Sequence, residues 1–139
     1  MKILGIVITK NEEIHISRCI SSLTKFVDDV LVVDAISDDA TIEIAKNHGA
    51  KVIKRRWVSY SEQLNWLLEN HATEYDYVLR LDADEYINSS KPKKFRETLV
   101  KFSDSNFRAI SVQRSYKFLG SLLQDSEFYN RNVVRIFTP

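Results

Sequence analysis

Apolar and polar positions fall into blocks along this chain, and the period of the pattern changes from block to block. Ile3 to Ile8 is a near-continuous apolar run, as expected of a strand covered on both faces. From about Glu12 to Lys25 the period lengthens, and Ile16, Cys19, Ile20, Leu23 and then Val27 recur at helical spacing. Val30-Leu31-Val32-Val33 predicts a second buried strand that ends at Asp34. Ser37 or Asp39 can cap the next helix, which turns Ile42 and Ala45 inward. That helix stops at Asn47-His48-Gly49, where Gly49 can supply a left-handed residue. Lys51 to Lys54 predicts a short third strand, Tyr60, Leu64, Leu67 and Leu68 a third helix, and Tyr77 to Leu81 a fourth strand. Ser90 is placed to cap a fourth helix, with Pro92 in its first turn and Phe95, Leu99 and Phe102 as its buried stripe. Ala109 to Phe118 predicts a further strand and Val133 to Phe137 a last one.

Strands alternating with helices of this size imply a largely parallel sheet with right-handed crossovers. In such sheets ligands bind beyond the C-terminal ends of the strands, near a topological switch point. Polar residues fall at those ends: Thr9, Asn11 and Glu12 after the first strand, Asp34 after the second, Asp82 and Asp84 after the fourth.

The stretch Tyr75 to Glu85 reads as a buried strand closing on three carboxylates, Asp82, Asp84 and Glu85. Alternation along a strand would put Asp82 and Asp84 on one side, with Ala83 pointing away. Two converging carboxylates repel unless a cation sits between them. Oxygen ligands suit Mg²⁺ or Mn²⁺, and an ion with few protein ligands keeps positions open for phosphate. The other reading of the same residues is a helix cap or a solvated turn. The chain has three glycines, and neither GxGxxG nor GxxxxGK[ST] occurs. A nucleotide in the crevice would therefore have its phosphates held by a metal on Asp82 and Asp84, not by a backbone nest. Asp34 is placed to accept hydrogen bonds from a base N–H or a ribose hydroxyl, or to serve as a cap or turn residue.

The 139 residues suit one domain, and 20 Lys+Arg against 19 Asp+Glu give no electrostatic case for nucleic acid. The single cysteine, Cys19, excludes an internal disulfide and a cysteine zinc cluster. It falls on an apolar helical stripe and reads as a small core residue. No apolar run approaches membrane-spanning length, and Met1 to Ile8 is too short for a signal peptide, so a cytoplasmic setting is expected.

Several stretches occur in the order found in one known family: Ile6-Val7-Ile8-Thr9-Lys10-Asn11-Glu12-Glu13, then Phe26 to Asp34, then Asp39-Ala40-Thr41 with Ile44-Ala45-Lys46 and Gly49-Ala50-Lys51-Val52, then Gln63 and Asn65, then Leu81-Asp82-Ala83-Asp84-Glu85. In this the chain resembles family 2 glycosyltransferases, above all the branch that includes bacterial lipopolysaccharide-core sugar transferases. The resemblance spans most of residues 3 to 87 and continues weakly through Arg135-Ile136-Phe137. It implies a GT-A fold: a Rossmann-like, mostly parallel sheet flanked by helices, with a nucleotide half joined to an acceptor half. It implies transfer of a sugar from a nucleoside-diphosphate sugar to a saccharide or lipid-linked acceptor, usually with inversion and a divalent cation, Mg²⁺ or Mn²⁺. It puts Thr9 and Glu12 near the base, Asp34 on base or ribose, Asp82 on ribose or metal, and Asp84 as the main metal ligand. Asn11 and Gln63 join the expected nucleotide-sugar contacts. The chain is then one GT-A-like domain over 1–139, with a donor-binding part over 1–105 and the start of an incomplete acceptor part over 106–139.

Three departures stand out. Where the family carries a small glycine-containing turn, this chain has Asp34-Ala35-Ile36-Ser37, and a β-branched Ile36 tolerates positive φ poorly, so another loop path is expected. Between Gln63 and Asn65 the family carries a cation where this chain has Leu64, leaving Lys10, Arg80 or another base to substitute. An inverting transferase also needs a carboxylate base for the acceptor hydroxyl. No residue is identified for that role; Asp125 and Glu127, in the loop after Gly120, are present but equally suit a solvated loop. The chain is then a piece of a longer enzyme or a shortened homologue that binds donor yet transfers sugar poorly. The rival is a catalytically inactive sugar-nucleotide-binding or interaction module of the same fold.

His15, His48 and His71 stand apart and suit surface or capping roles. Lys51, Lys54, Arg55 and Arg56, followed by Trp57 and Tyr60, suit a solvated strand end, or contact with donor phosphates or the inner face of a membrane. Lys91, Lys93, Lys94, Arg96 and Lys101 read as a helix's wet face. Trp66 falls off its helix's main stripe, which suggests an interface, and homo-oligomerisation would cover exposed apolar surface. A receiver domain, a DxDx[TV] phosphatase and a calcium loop at Asp34 to Asp39 all lack their required residues.

Overall fold

A computed structural model describes residues 1–103, 108–122 and 131–139. Its elements run β1 (Ile3–Thr9), α1 (Ile16–Leu23), β2 (Asp29–Asp34), α2 (Thr41–Asn47), β3 (Lys51–Lys54), α3 (Tyr60–His71), β4 (Tyr77–Asp82), α4 (Pro92–Ser103), β5 (Ala109–Arg114), β6 (Lys117–Phe118), β7 (Ser121–Leu122) and β8 (Arg131–Phe137). Among the described residues, no helix is long and apolar enough to cross a membrane.

The main sheet has the order β3-β2-β1-β4-β8-β5. The first four strands are parallel, and β8 runs antiparallel to both β4 and β5. The chain steps outward from β1 through β2 to β3, then returns to place β4 on the other flank of β1. That reversal is the switch point at which such sheets open a crevice.

Odd positions of β1 and their partners face one side. Ile3, Val7, Val32, Leu79 and Leu81 pack there with Ile16, Cys19, Ile20 and Leu23 of α1, Ala45 of α2 and Leu99 of α4. Even positions face the other side, where Leu4, Ile6, Leu31, Val33 and Val78 pack with Leu67 of α3. Strands buried on both faces need unbroken apolar runs, which is why β1 and β2 were legible as such. Gly5 has a packing reason: a Cβ there would lie 2.8 Å from Leu23 Cδ2, so α1 could not sit this close to β1.

Several boundaries differ from the sequence reading. α1 starts at Ile16 instead of near Glu12, because residues 12–15 close a turn in which Glu12 O accepts the N–H groups of His15 and Ile16. Of the two cap candidates for α2, Asp39 accepts the Thr41 N–H (2.9 Å), while Ser37 is spent elsewhere. Gly49 does take a left-handed φ of +81°. Ser59 caps α3 by accepting the Glu62 N–H. The strand expected over Ala109 to Phe118 ends at Arg114, and Lys117–Phe118 instead begins a separate hairpin with Ser121–Leu122.

Candidate functional site

Register aligns the expected residues along one edge of the sheet. Thr9 pairs with Asp34, and Ile8 pairs with Asp82, so the C-terminal ends of β2, β1 and β4 lie side by side. Adjacent strands are about 4.8 Å apart, which puts the Asp34 and Asp82 backbones roughly 10 Å from one another. Alternation then divides the side chains. Thr9 and Asp34 share the face of α1 and α2; Asp82 shares the face of Ile8 and α3.

The first cluster ties two loops together. Asp34 is fully buried, and its carboxylate accepts the Ser37 N–H (2.7 Å) and the Ser37 hydroxyl (2.5 Å). The same hydroxyl oxygen accepts the Asn11 N–H (2.8 Å), and Asn11 Oδ1 accepts the Asp38 N–H (3.1 Å). The Glu12 N–H donates to Thr41 Oγ1 (2.8 Å), and its carboxylate lies 2.7 Å from His15 Nδ1. Thr9 is buried with its hydroxyl unpartnered among the described residues. Thr9, Asn11, Glu12 and Asp34 thus meet in one place, with Asp34 already carrying loop-closing bonds.

Ile36 corrects an expectation. The loop does not avoid the left-handed region: Ile36 takes φ +62° and is 56% exposed, held there by the Asp34–Ser37 bonds on either side. A β-branched residue in that region costs on the order of 1–3 kcal/mol. We expect Ile36→Gly to stabilise the fold by about 1 kcal/mol in urea denaturation, because relief of this strain outweighs the added freedom of the unfolded chain.

The second cluster gathers around the end of β4. The strand stops at Asp82, and residues 82–85 form a turn closed by the Glu85 N–H to Asp82 O (2.9 Å). Strand alternation therefore does not extend to Asp84, which projects from the turn. Glu85 folds back so that its carboxylate accepts the Asp82 N–H (3.0 Å). Arg135 of β8 reaches across with Nη2 2.9 Å from Asp82 and 2.6 Å from Glu85. Arg80 lies 3.6 Å from Asp82, and Arg114 lies 3.7 Å from Glu85. Arg80 also stacks on Tyr60, so this base lies within the carboxylate network at the end of β4.

Burial pushes the Glu85 carboxyl above its usual value, although the Asp82 N–H and Arg114 pull the other way. Burial likewise raises the Tyr60 phenol to about 12 despite the Arg80 charge beside it. Cys19 is a buried thiol raised to about 12 by burial, consistent with a core role.

The donor set can be tested against a divalent ion. Among the described residues, no group of three His, Cys, Asp or Glu side chains could hold a metal. Asp84 is exposed, and among the described residues its carboxylate makes no hydrogen bond or ion pair. One free carboxylate beside a second one fits the way Mg²⁺ or Mn²⁺ is held when phosphate oxygens and water supply the remaining positions.

Gln63 joins neither cluster. It is buried, accepts from the Arg55 guanidinium, and donates to the carbonyls of Arg55 and Arg56 (both 3.4 Å), pinning the β3–α3 connection. Trp66 is partly buried against the α3-side core, with Arg55 stacked on it and His71 edge-on. Asp125 and Glu127 lie outside the described residues.

The sequence profile described as "Glycosyl transferase family 2" matches residues 6–132. The chain belongs to that family. An uncharacterized glycosyltransferase of Rickettsia typhi is 34% identical over 119 residues, covering 86% of this chain and 40% of the relative. The chain thus spans about two fifths of the length of that curated relative. The Staphylococcus aureus protein TarS (residues 1–349), solved in complex with UDP-GlcNAc, matches with 25% identity and a TM-score of 0.65, over 92% of this chain and 38% of that one. Mycobacterium tuberculosis glucosyl-3-phosphoglycerate synthase, solved with Mn²⁺, UDP and glucosyl-3-phosphoglycerate, matches with 28% identity and a TM-score of 0.52, over 59% and 33%. The sheet described above is therefore a GT-A-like fold.

Within this family 2 chain, the sequence reading named Arg80 and Arg135 but missed that they organise the second cluster. The signal was present: Arg80 interrupts the run Tyr77 to Leu81, and Arg135 interrupts the run Val133 to Phe137. A cation among buried apolar residues needs a carboxylate partner.

Proposed function

We propose that this chain forms the donor-binding part of an enzyme that moves a sugar from a nucleoside-diphosphate sugar to a saccharide or lipid-linked acceptor, with inversion. The observation that carries the reading is the shared sheet edge of Thr9, Asp34 and Asp82, with the Asp84 carboxylate, unpaired among the described residues, just beyond, in a family 2 chain without a glycine-rich phosphate loop. Thr9, Asn11, Glu12 and Asp34 bind the nucleoside. Asp84 holds Mg²⁺ or Mn²⁺, with Asp82 beside it. The cation, when bound, neutralises charge on the leaving diphosphate. The similar structures solved with UDP-GlcNAc and with UDP and Mn²⁺ support a nucleotide and a cation as the kind of ligand taken.

We place the acceptor among lipid-linked saccharides of the lipopolysaccharide-core kind, with the protein cytoplasmic and touching the inner membrane face. What supports this is the rim: Ile14, Ile36, Trp57 and Val58 are exposed apolar residues on loops leaving the C-terminal ends of β1, β2 and β3, beside the exposed Lys54 and Arg56.

Calorimetric titration of the 139-residue chain with UDP and with GDP, each with and without Mn²⁺, tests the donor reading. Saturable binding of one diphosphate that tightens at least tenfold with Mn²⁺ is the expected result. Absence of Mn²⁺-dependent binding for both would overturn it.

A further inference from the structure

The acid pair at the end of β4 is not symmetric. Both oxygens of Asp82 face guanidinium groups, Oδ2 at 2.9 Å from Arg135 and Oδ1 at 3.6 Å from Arg80. Arg135 is 4% exposed and fixed by β8, so it cannot swing away as a surface side chain would. Its guanidinium also grips Glu85, whose second oxygen holds the Asp82 backbone N–H. The Asp82–Glu85 turn is therefore clamped at three points, and Asp84 is left projecting from it.

A dication and an arginine compete for the same carboxylate lone pairs. Three carboxylates, Asp82, Asp84 and Glu85, stand among four guanidiniums, Arg80, Arg114, Arg135 and Arg18, the last donating to the Asp84 carbonyl (3.2 Å), so the cluster has no net negative formal charge. A bare dication approaching this cluster gains little. A dication already carrying a diphosphate brings its own counter-charge.

We propose that Arg135 is a positioning residue that withholds Asp82 from the ion, leaves Asp84 as the main protein ligand, and so makes cation binding conditional on the nucleoside diphosphate. This rests on the reading that a cation-bound diphosphate occupies this edge. The device would keep the site from filling with a free ion that then obstructs the donor. Binding of ion and diphosphate is then reciprocal, each tightening the other by the same factor.

The test measures Mn²⁺ affinity by the electron paramagnetic resonance signal of free Mn²⁺, with and without saturating UDP or GDP. For the unaltered chain, the diphosphate should tighten Mn²⁺ at least tenfold. Arg135→Gln should raise affinity for Mn²⁺ alone several-fold and shrink that coupling, which a purely structural ion pair would not do. As a second measure that does not disturb β8, Asp82→Asn should cost a few-fold in affinity for the Mn²⁺–diphosphate complex, against about thirtyfold or more for Asp84→Asn. Equal losses for Asp82→Asn and Asp84→Asn would overturn this proposal alone, as would unchanged coupling in a folded Arg135→Gln. No Mn²⁺-dependent diphosphate binding by the unaltered chain would overturn the donor reading together with it.

Discussion

Replacing Arg135 with methionine is expected to lower stability by about 3 kcal/mol at neutral pH and to drop Tm by roughly 10 °C. Methionine has a similar length and suits the apolar surroundings of β8, so the loss reports the charge and not a cavity. What remains is Glu85, with a side chain only 17% exposed, and Asp82 at 41%, without the group that bridges them. Breaking a buried pair costs more than the pair was worth, because the surviving carboxylate keeps its desolvation penalty. The partial exposure of Asp82, and Arg114 at 3.7 Å from Glu85, hold the figure to the lower end of the range for buried pairs. The deficit should depend on pH in a defined direction. Burial already raises Glu85 in the folded state, and removing the Arg135 cation 2.6 Å from its carboxylate acts in the same direction. The folded variant therefore binds the proton more readily than its unfolded chain, so the deficit shrinks as pH falls through the raised value toward the ordinary carboxylate range. Thermal unfolding of both chains at neutral and mildly acidic pH checks sign and size. A deficit that grew on acidification would contradict the assignment.

Asp34→Ala is expected to cost about 2–3 kcal/mol and to abolish measurable nucleoside diphosphate binding. The carboxylate is buried with both bonds going to Ser37, and the Ser37 hydroxyl in turn holds Asn11. Alanine leaves the Ser37 N–H and hydroxyl without that acceptor and unties the loop after β1 from the loop after β2. Asp34→Asn keeps one acceptor oxygen for the Ser37 N–H and should lose about half as much stability. Urea denaturation separates the two variants. If alanine and asparagine cost the same, the loop-closing role is wrong.

The legible part of this protein was what depends on near neighbours. β1 and β2 announced themselves because burial on two faces demands unbroken apolar runs. Gly49 was readable because a helix ending in a left-handed residue favours glycine. The Asp82–Glu85 acids were visible as a cluster, and Thr9, Asn11, Glu12 and Asp34 were correctly expected at strand ends. What stayed hidden depended on distant partners. The start of α1 is set by Glu12 and Glu13 bonding to the residues around Asp39, which no local period encodes. Ile36 adopts a conformation its side chain resists because Asp34 and Ser37 outvote it. Gln63 looked like a donor contact, yet its amide closes on Arg55 and Arg56, a destination set by where β3 ends. Arg135 lies 53 residues from Asp82, and an arginine within the stretch Val133 to Phe137 does not say which acid it will meet.

The place of β8 in the sheet has a consequence for how the protein is made. It inserts between β4 and β5, so a strand made after both of its neighbours is the one that fills the gap. The four parallel strands and their helices are already translated by then and hold a hydrophobic core of their own. Until β8 docks, Glu85 has no Arg135 and β5 has no neighbour on that flank. The carboxylate turn therefore matures only once Arg135 has been made, and a nascent chain stalled before residue 131 would carry a sheet whose charged mouth is not yet armed.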